Sequence, residues 1–156
     1  MRIALIQPEI PQNVGAILRL AACMGVGVDL IGPLGFVATD KRLRRAGMDY
    51  LDLAELRQHV TWQAFCDAQP GRRVLLTTRG DRSAYDFAFA AGDVLMFGAE
   101  SAGAPDAAHA AAAARLRLPM RAGARSLSLA LAVALTLGEA LRQTDGLPLQ
   151  EENRHV

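Results

Sequence analysis

Sulfur and aromatic rings are scarce in this chain, which has two cysteines, one tryptophan, two tyrosines and five phenylalanines among 156 residues. Cys23 and Cys66 form no C-x-x-C pair and have no adjacent histidine. A disulfide framework and a thiolate metal site are therefore not expected, and both cysteines read as small buried side chains. His59, His109 and His155 are scattered, with none at the i, i+3 or i, i+4 spacing of a ligand pair, so they read as solvated or internally satisfied, and no metal is expected. Neither G-x-G-x-x-G nor a P-loop occurs, which counts against a plain nucleotide-binding protein. The longest apolar run, residues 126 to 141, is interrupted by Ser, Thr and Gly, and the N-terminus MRIALIQPEIPQN reads as a strand and a loop. No membrane span or export signal is expected, and the cytoplasm is the expected compartment. The formal net charge of +1 argues neither for nor against nucleic acid.

What is present fits one compact domain over residues 1–156 with a full core, since 51% of residues are hydrophobic and 21% charged. The tail after Gly146 is polar and is expected to be loose. Short apolar runs bounded by turn residues at 2–7, 28–32, 73–78, 93–97 and 115–118 predict strands, and helical patterns fall at 14–25, 61–69, 105–114 and 126–143. Their alternation predicts an α/β fold, a parallel sheet with helices on both faces. The alanine run from Ala107 to Ala114 reads as a surface helix by propensity.

In such sheets ligands collect beyond the carboxyl ends of the strands, so the loops that follow strands carry the chemistry. Residues 8–15, PEIPQNVG, lead into a helix that Asn13 can cap and that carries Arg19. Residues 98–105, GAESAGAP, have glycines that permit close backbone approach to a ligand. Residues 118–143 join a strand and a polar Gly-containing loop to a long apolar helix, where Ser126 or Ser128 can cap and free backbone groups face a helix N-terminus. Read alone, that last junction is more simply an α/β connection before a buried helix. The positive charges are almost all arginine, and Lys41, Arg42, Arg44 and Arg45 fall within five residues behind Thr39 or Asp40. That cluster is either a phosphate-sized patch or a solvated helix face.

Taken in order, PEIPQNVGAILRLAA, DKRLRRAGMDY, LTTRG, LMFGAESAGAP, and LPM followed by RSL on a long helix resemble the SPOUT superfamily of RNA methyltransferases. Within it they look most like the small single-domain tRNA 2′-O-methyltransferases of the wobble nucleotide, the TrmL or YibK group, over residues 1 to 143. The resemblance implies a C-terminal trefoil knot, which general topology rules would not suggest, and a homodimer with cofactor pockets at the subunit interface. It implies S-adenosylmethionine as cofactor, S-adenosylhomocysteine as product, and Leu76, Gly98, Leu118, Ser126 and Leu127 as cofactor contacts. The implied reaction moves a methyl group in line to the ribose 2′-hydroxyl of the wobble C or modified U in the anticodon stem-loop of tRNA, with leucine tRNAs the expected substrates.

Within that resemblance Arg19 takes the role of general base. Neutralising an ordinary arginine at pH 7 costs roughly 7 kcal/mol, against roughly 3 to 5 kcal/mol gained from general-base help. Either burial and the bound cation offset that cost, or Arg19 stays charged and holds a phosphate or the developing alkoxide. Glu100 could orient Arg19 or cap the following helix. Asn13 would shape the substrate pocket, Lys41, Arg42, Arg44 and Arg45 would grip anticodon-arm phosphates, and Tyr50 or Phe36 could stack on unpaired bases. Ser128 stands at a catalytic position where the family usually has Asn, and Ala130, Leu131 and Gly138 also depart from relatives. Ser128 and Ala130 keep open an RNA-binding or cofactor-binding relative with impaired catalysis, and action on another tRNA site or on ribosomal RNA is opposed only by the short DKRLRRAG insert and the lack of an extra RNA-binding domain.

Overall fold

The computed structural model describes residues 1–37, 41, 45, 50 and 53–149. Seven strands form one sheet: β1 (Arg2–Ile6), β2 (Gly27–Ile31), β3 (Leu56–His59), β4 (Arg73–Leu76), β5 (Arg82–Ser83), β6 (Val94–Phe97) and β7 (Ala114–Arg117). Their spatial order is β3-β2-β1-β6-β4-β7-β5, and each neighbouring pair is parallel. The described helices of more than one turn are α1 (Pro11–Met24), α2 (Trp62–Ala68), α3 (Asp106–Ala111) and α4 (Leu129–Gln143).

Alternation along the strands divides the core in two, because successive side chains point to opposite faces. Ile3 and Leu5 join Val74, Leu95 and Leu116 beneath α1 and α4, which contribute Val14, Ile17, Leu18, Val133 and Leu137. Ala4 and Ile6 join Leu75 and Met96 on the other face, under Phe65 of α2 and Ala108 of α3. The expected parallel sheet with helices on both faces is thus observed. Phe36, expected as a possible base-stacking ring, packs half-buried against the first core. The cysteines differ from expectation, since Cys23 is exposed and Cys66 only half-buried.

A polar cluster is buried within the second layer. Asp29 of β2 is fully buried and accepts from Arg2 Nε at 2.6 Å and from Gln69 Nε2 at 3.3 Å, with His59 Nε2 2.6 Å away. Arg2 reaches it by lying across Gly27, where a Cβ would stand 2.1 Å from Arg2 Nη1. Its partners account for Asp29, since a buried carboxylate persists only when paired and hydrogen-bonded. His59 is the internally satisfied histidine expected; His155 lies outside the described residues.

The sheet order contains one unusual crossing. β4 and β5 are joined by residues 77–81, yet β7 lies between them. The connection therefore strides over the end of β7: Thr77 N–H donates to the Leu116 carbonyl at 2.8 Å, and Arg117 Nη1 donates to the Gly80 carbonyl at 3.0 Å. A Cβ on Gly80 would lie 2.3 Å from the Leu116 carbonyl carbon, so glycine is required for the two backbones to pass this closely. Beyond β7 the chain continues to α4, which packs beside α1.

Candidate active-site cleft

Four neighbouring strands, β1, β6, β4 and β7, end side by side, and the loops that leave them surround one cleft of about 1170 Å³. Its position beyond the carboxyl ends of the sheet follows from topology, because loops at that edge of a parallel sheet are free to vary while the strands stay fixed.

The first wall is a reciprocal clamp. Glu9 and Ile10 N–H donate to Glu100 Oε2 and Oε1 at 2.8 and 3.1 Å, and Asn13 Nδ2 donates to Oε1 at 3.3 Å. In return Ser101 donates to Glu9 through its N–H at 3.0 Å and its hydroxyl at 2.6 Å. The N-cap of α1 is Ile10, whose side chain makes no cap, followed by Pro11 in the first turn; Asn13 is inside the helix and is not the cap expected. Glu100, from a loop ninety residues along the chain, places negative charge at that N-terminus, where the helix dipole favours it. Its carboxylate thus serves the start of α1 and not Arg19 or the following helix.

Glycine in the second loop also serves the loop itself. A Cβ on Gly98 would stand 2.1 Å from the Ala104 nitrogen, so Gly98 admits its own loop's return strand, closed by the Ala99–Gly103 bridge, while still lining the cleft. Gly103, at φ +71°, makes the turn.

Leu76, Gly98, Leu118, Ser126, Leu127 and Ser128 all line this one cleft, together with Asn13 and Glu100. Across residues 119–127 one backbone–backbone hydrogen bond is made among the described residues, from Ala124 N–H to the Arg121 carbonyl at 3.1 Å. Leu76 is nearly buried and Leu127 is 36% exposed, which gives an apolar slot edged by unpaired amides. Such an edge suits a heteroaromatic ring that both donates and accepts hydrogen bonds. Ser128 is the N-cap of α4, its hydroxyl accepting from Leu131 N–H at 3.4 Å, so α4 begins three residues later than its apolar pattern predicts.

The rim is basic. Arg79, Arg117, Arg121 and Arg125 line the cleft, whereas its one carboxylate, Glu100, is engaged with Glu9, Ile10 and Asn13. Arg19 is not among the lining residues; it is exposed on α1 with its guanidinium 5.0 Å above the Tyr50 ring. Lys41 and Arg45 are helical and exposed, while Arg42 and Arg44 lie outside the described residues. The rim arginines, dispersed over forty-seven positions, escaped the sequence reading because no local cluster marks them. Among the described residues no cluster of His, Cys, Asp and Glu could hold a metal ion, and no helix is long and apolar enough to cross a membrane.

Residues 1–138 match the SpoU rRNA Methylase family. A tRNA (cytidine(34)-2′-O)-methyltransferase of Beijerinckia indica subsp. indica is 51% identical over 148 residues, covering 93% of this chain and 92% of the relative. A protein solved for structural insights into the 2-OH methylation of C/U34 on tRNA superposes with a TM-score of 0.86 at 44% identity, covering 91% of this chain and 94% of that one. The SpoU methyltransferase AviRb from Streptomyces viridochromogenes, solved in complex with the cofactor AdoMet, superposes with a TM-score of 0.84 at 26% identity, over 92% of this chain and 60% of its own.

Proposed function

Because this chain belongs to the SpoU methylase family, we propose that it transfers a methyl group from S-adenosylmethionine to the ribose 2′-hydroxyl of nucleotide 34 in the tRNA anticodon loop. One observation carries the reading: a single cleft combines an apolar slot edged by unpaired backbone amides with a rim of arginines whose neighbouring carboxylate is already engaged. The slot suits a purine, and the rim suits a polyanion. A C or a modified U at this position is the proposed substrate nucleotide, with leucine tRNAs the first isoacceptors to try. The whole chain acts as one methyltransferase domain in the cytoplasm, and the family's trefoil knot is the natural completion of the stride of residues 77–81 over β7.

When bound, S-adenosylmethionine supplies an electrophilic methyl group on a sulfonium. The protein's part is orientation, which in a reaction between two bound groups accounts for much of the rate. Leu76, Leu118 and Leu127 flank the adenine, and Gly98 and Ser126 approach the cofactor through backbone atoms. Arg19 acts as a cation, holding a phosphate or the developing alkoxide, because neutralising a guanidinium costs more than general-base help returns. Ser128 contributes by fixing the first turn of α4 and not by touching the reacting atoms. Asn13 shapes the substrate side of the cleft, and Lys41, Arg42, Arg44 and Arg45 contact the anticodon arm.

A homodimer completes the site. Ile10, Leu131 and Leu135 are 42%, 56% and 47% exposed on the layer formed by α1 and α4, a surface that a second copy would cover. A second copy also gives Arg19, which stands outside its own chain's cleft, a route to the ribose. The test is transfer of labelled methyl from S-adenosylmethionine to tRNA from cells lacking this protein, with the labelled nucleotide mapped. Label on the ribose of nucleotide 34 is expected. Label elsewhere, or saturable cofactor binding without transfer, would overturn the proposal.

A further inference from the structure

Beside the cleft lies a shallow depression of about 450 Å³ lined by Arg79, Asp106, His109, Ala110 and Arg115, of which the proposed function draws only on Arg79, in the rim. Arg79 and His109 also line the cleft, so the two spaces share a wall. Three elements meet there. Arg79 lies in the stride after β4 and donates from Nη2 to His109 Nε2 at 2.8 Å; Arg115 of β7 donates from Nη1 to the His109 carbonyl at 3.2 Å. A guanidinium can only donate, so His109 accepts at Nε2 and carries its proton on Nδ1. Among the described residues neither arginine forms an ion pair, and Asp106 is the one carboxylate in the lining.

We propose that Arg79, His109 and Arg115 form a phosphate site, which holds a backbone phosphodiester of the RNA next to the nucleotide in the cleft. This rests on the RNA-methyltransferase reading. Two guanidinium forks and one carboxylate leave the depression with a single positive charge while the imidazole is neutral, which matches the single negative charge of a phosphodiester. The open, shallow shape suits a polymer passing across the surface, and the shared wall puts the phosphate one side chain away from the cleft. Arg79 then exchanges an imidazole acceptor for a phosphate oxygen, a stronger charge-assisted partner.

The same geometry sets a pH dependence. In the free protein His109 titrates below its ordinary value of 6.5, chiefly through burial and then through Arg79 and Arg115, with Asp106 opposing them. A bound phosphate screens both arginines and offers the ring an acceptor, so the His109 pKa rises on binding. Binding therefore takes up a proton, and affinity increases as the pH falls from the bound-state pKa towards the free-state one.

The experiment measures binding of an unmodified anticodon stem-loop RNA across salt and pH, for the unsubstituted protein, Arg115→Gln and His109→Gln, with S-adenosylmethionine binding as the check that each variant is folded. Arg115→Gln is expected to weaken RNA binding about five- to tenfold and to lower the slope of log affinity against log salt by about 0.7. His109→Gln is expected to remove the acid strengthening, and the His109 ring resonance of the unsubstituted protein should titrate higher with RNA bound. Should Arg115→Gln fail to bind the cofactor, Arg115→Lys replaces it, with weaker binding and an unchanged slope expected. An unchanged slope in Arg115→Gln together with an unmoved His109 titration would overturn the site. A lowered slope in a protein that methylates no tRNA ribose would uphold the phosphate site and sink the proposed reaction instead.

Discussion

Replacing Glu100 with Gln separates a clamp from a catalyst. In the structure its two oxygens receive three hydrogen bonds, from Glu9 N–H, Ile10 N–H and Asn13 Nδ2, at 2.8, 3.1 and 3.3 Å. Glutamine keeps one acceptor oxygen and turns an amide donor towards a donor, so one backbone bond and the dipole interaction with α1 are lost while another is weakened. Charge-assisted bonds are worth about 1.5–3 kcal/mol each when buried, and the exposure of Ile10 lets water replace part of that, so the expected loss is about 2–3 kcal/mol. For a chain of this length that lowers the melting temperature by about 4–12 °C. The assay pairs thermal unfolding with S-adenosylmethionine titration, because the loosened 98–104 loop lines the cleft and should lower cofactor affinity in parallel. An unchanged melting temperature with turnover abolished would refute the clamp and return Glu100 to the chemistry.

Three further outcomes follow from the same geometry. Gly80→Ala forces a Cβ against the Leu116 backbone and should cost about 3 kcal/mol or more in urea unfolding, with a fully stable variant contradicting the close crossing. Ser128→Ala removes the α4 cap and should cost about 1 kcal/mol with methyl transfer retained, whereas loss of turnover at unchanged stability would make Ser128 a reacting group. Asp29→Ala leaves Arg2, His59 and Gln69 without their shared acceptor, so a loss of about 3 kcal/mol or more is expected in denaturant unfolding, and a loss below about 1 kcal/mol would show the cluster to be dispensable.

The strands that the sequence made legible carry buried apolar residues: Arg2–Ile6, Gly27–Ile31, Arg73–Leu76 and Val94–Phe97 are buried over nearly their whole length, and Ala114–Arg117 alternates exposed arginines with the buried Leu116. β3 went unread because an edge strand exposes Arg57 and Gln58, and β5 because two residues carry no period. Helix limits moved where tertiary partners outvote local propensity. α1 starts at Pro11 under the remote charge of Glu100, and α3 stops at Ala111 because Ala114 pairs with Val74, against the helical preference of its alanine run. The cofactor-side residues expected from resemblance gather in one cleft because they follow adjacent strands. Arg19 does not join them, and the phosphate site left no trace, since Arg79, His109 and Arg115 belong to three elements that only the fold brings together.

The stride of residues 77–81 over β7 also orders events in time. Leu76 and Gly98 emerge from the ribosome well before Leu118, Ser126 and Leu127, yet the slot exists only when both groups face each other across the crossing. A nascent chain that stops short of α4 has its sheet neighbours but half a pocket, and nothing to close on a cofactor. A slot lined on both sides is therefore a report that the chain as far as α4 has reached its place beside α1.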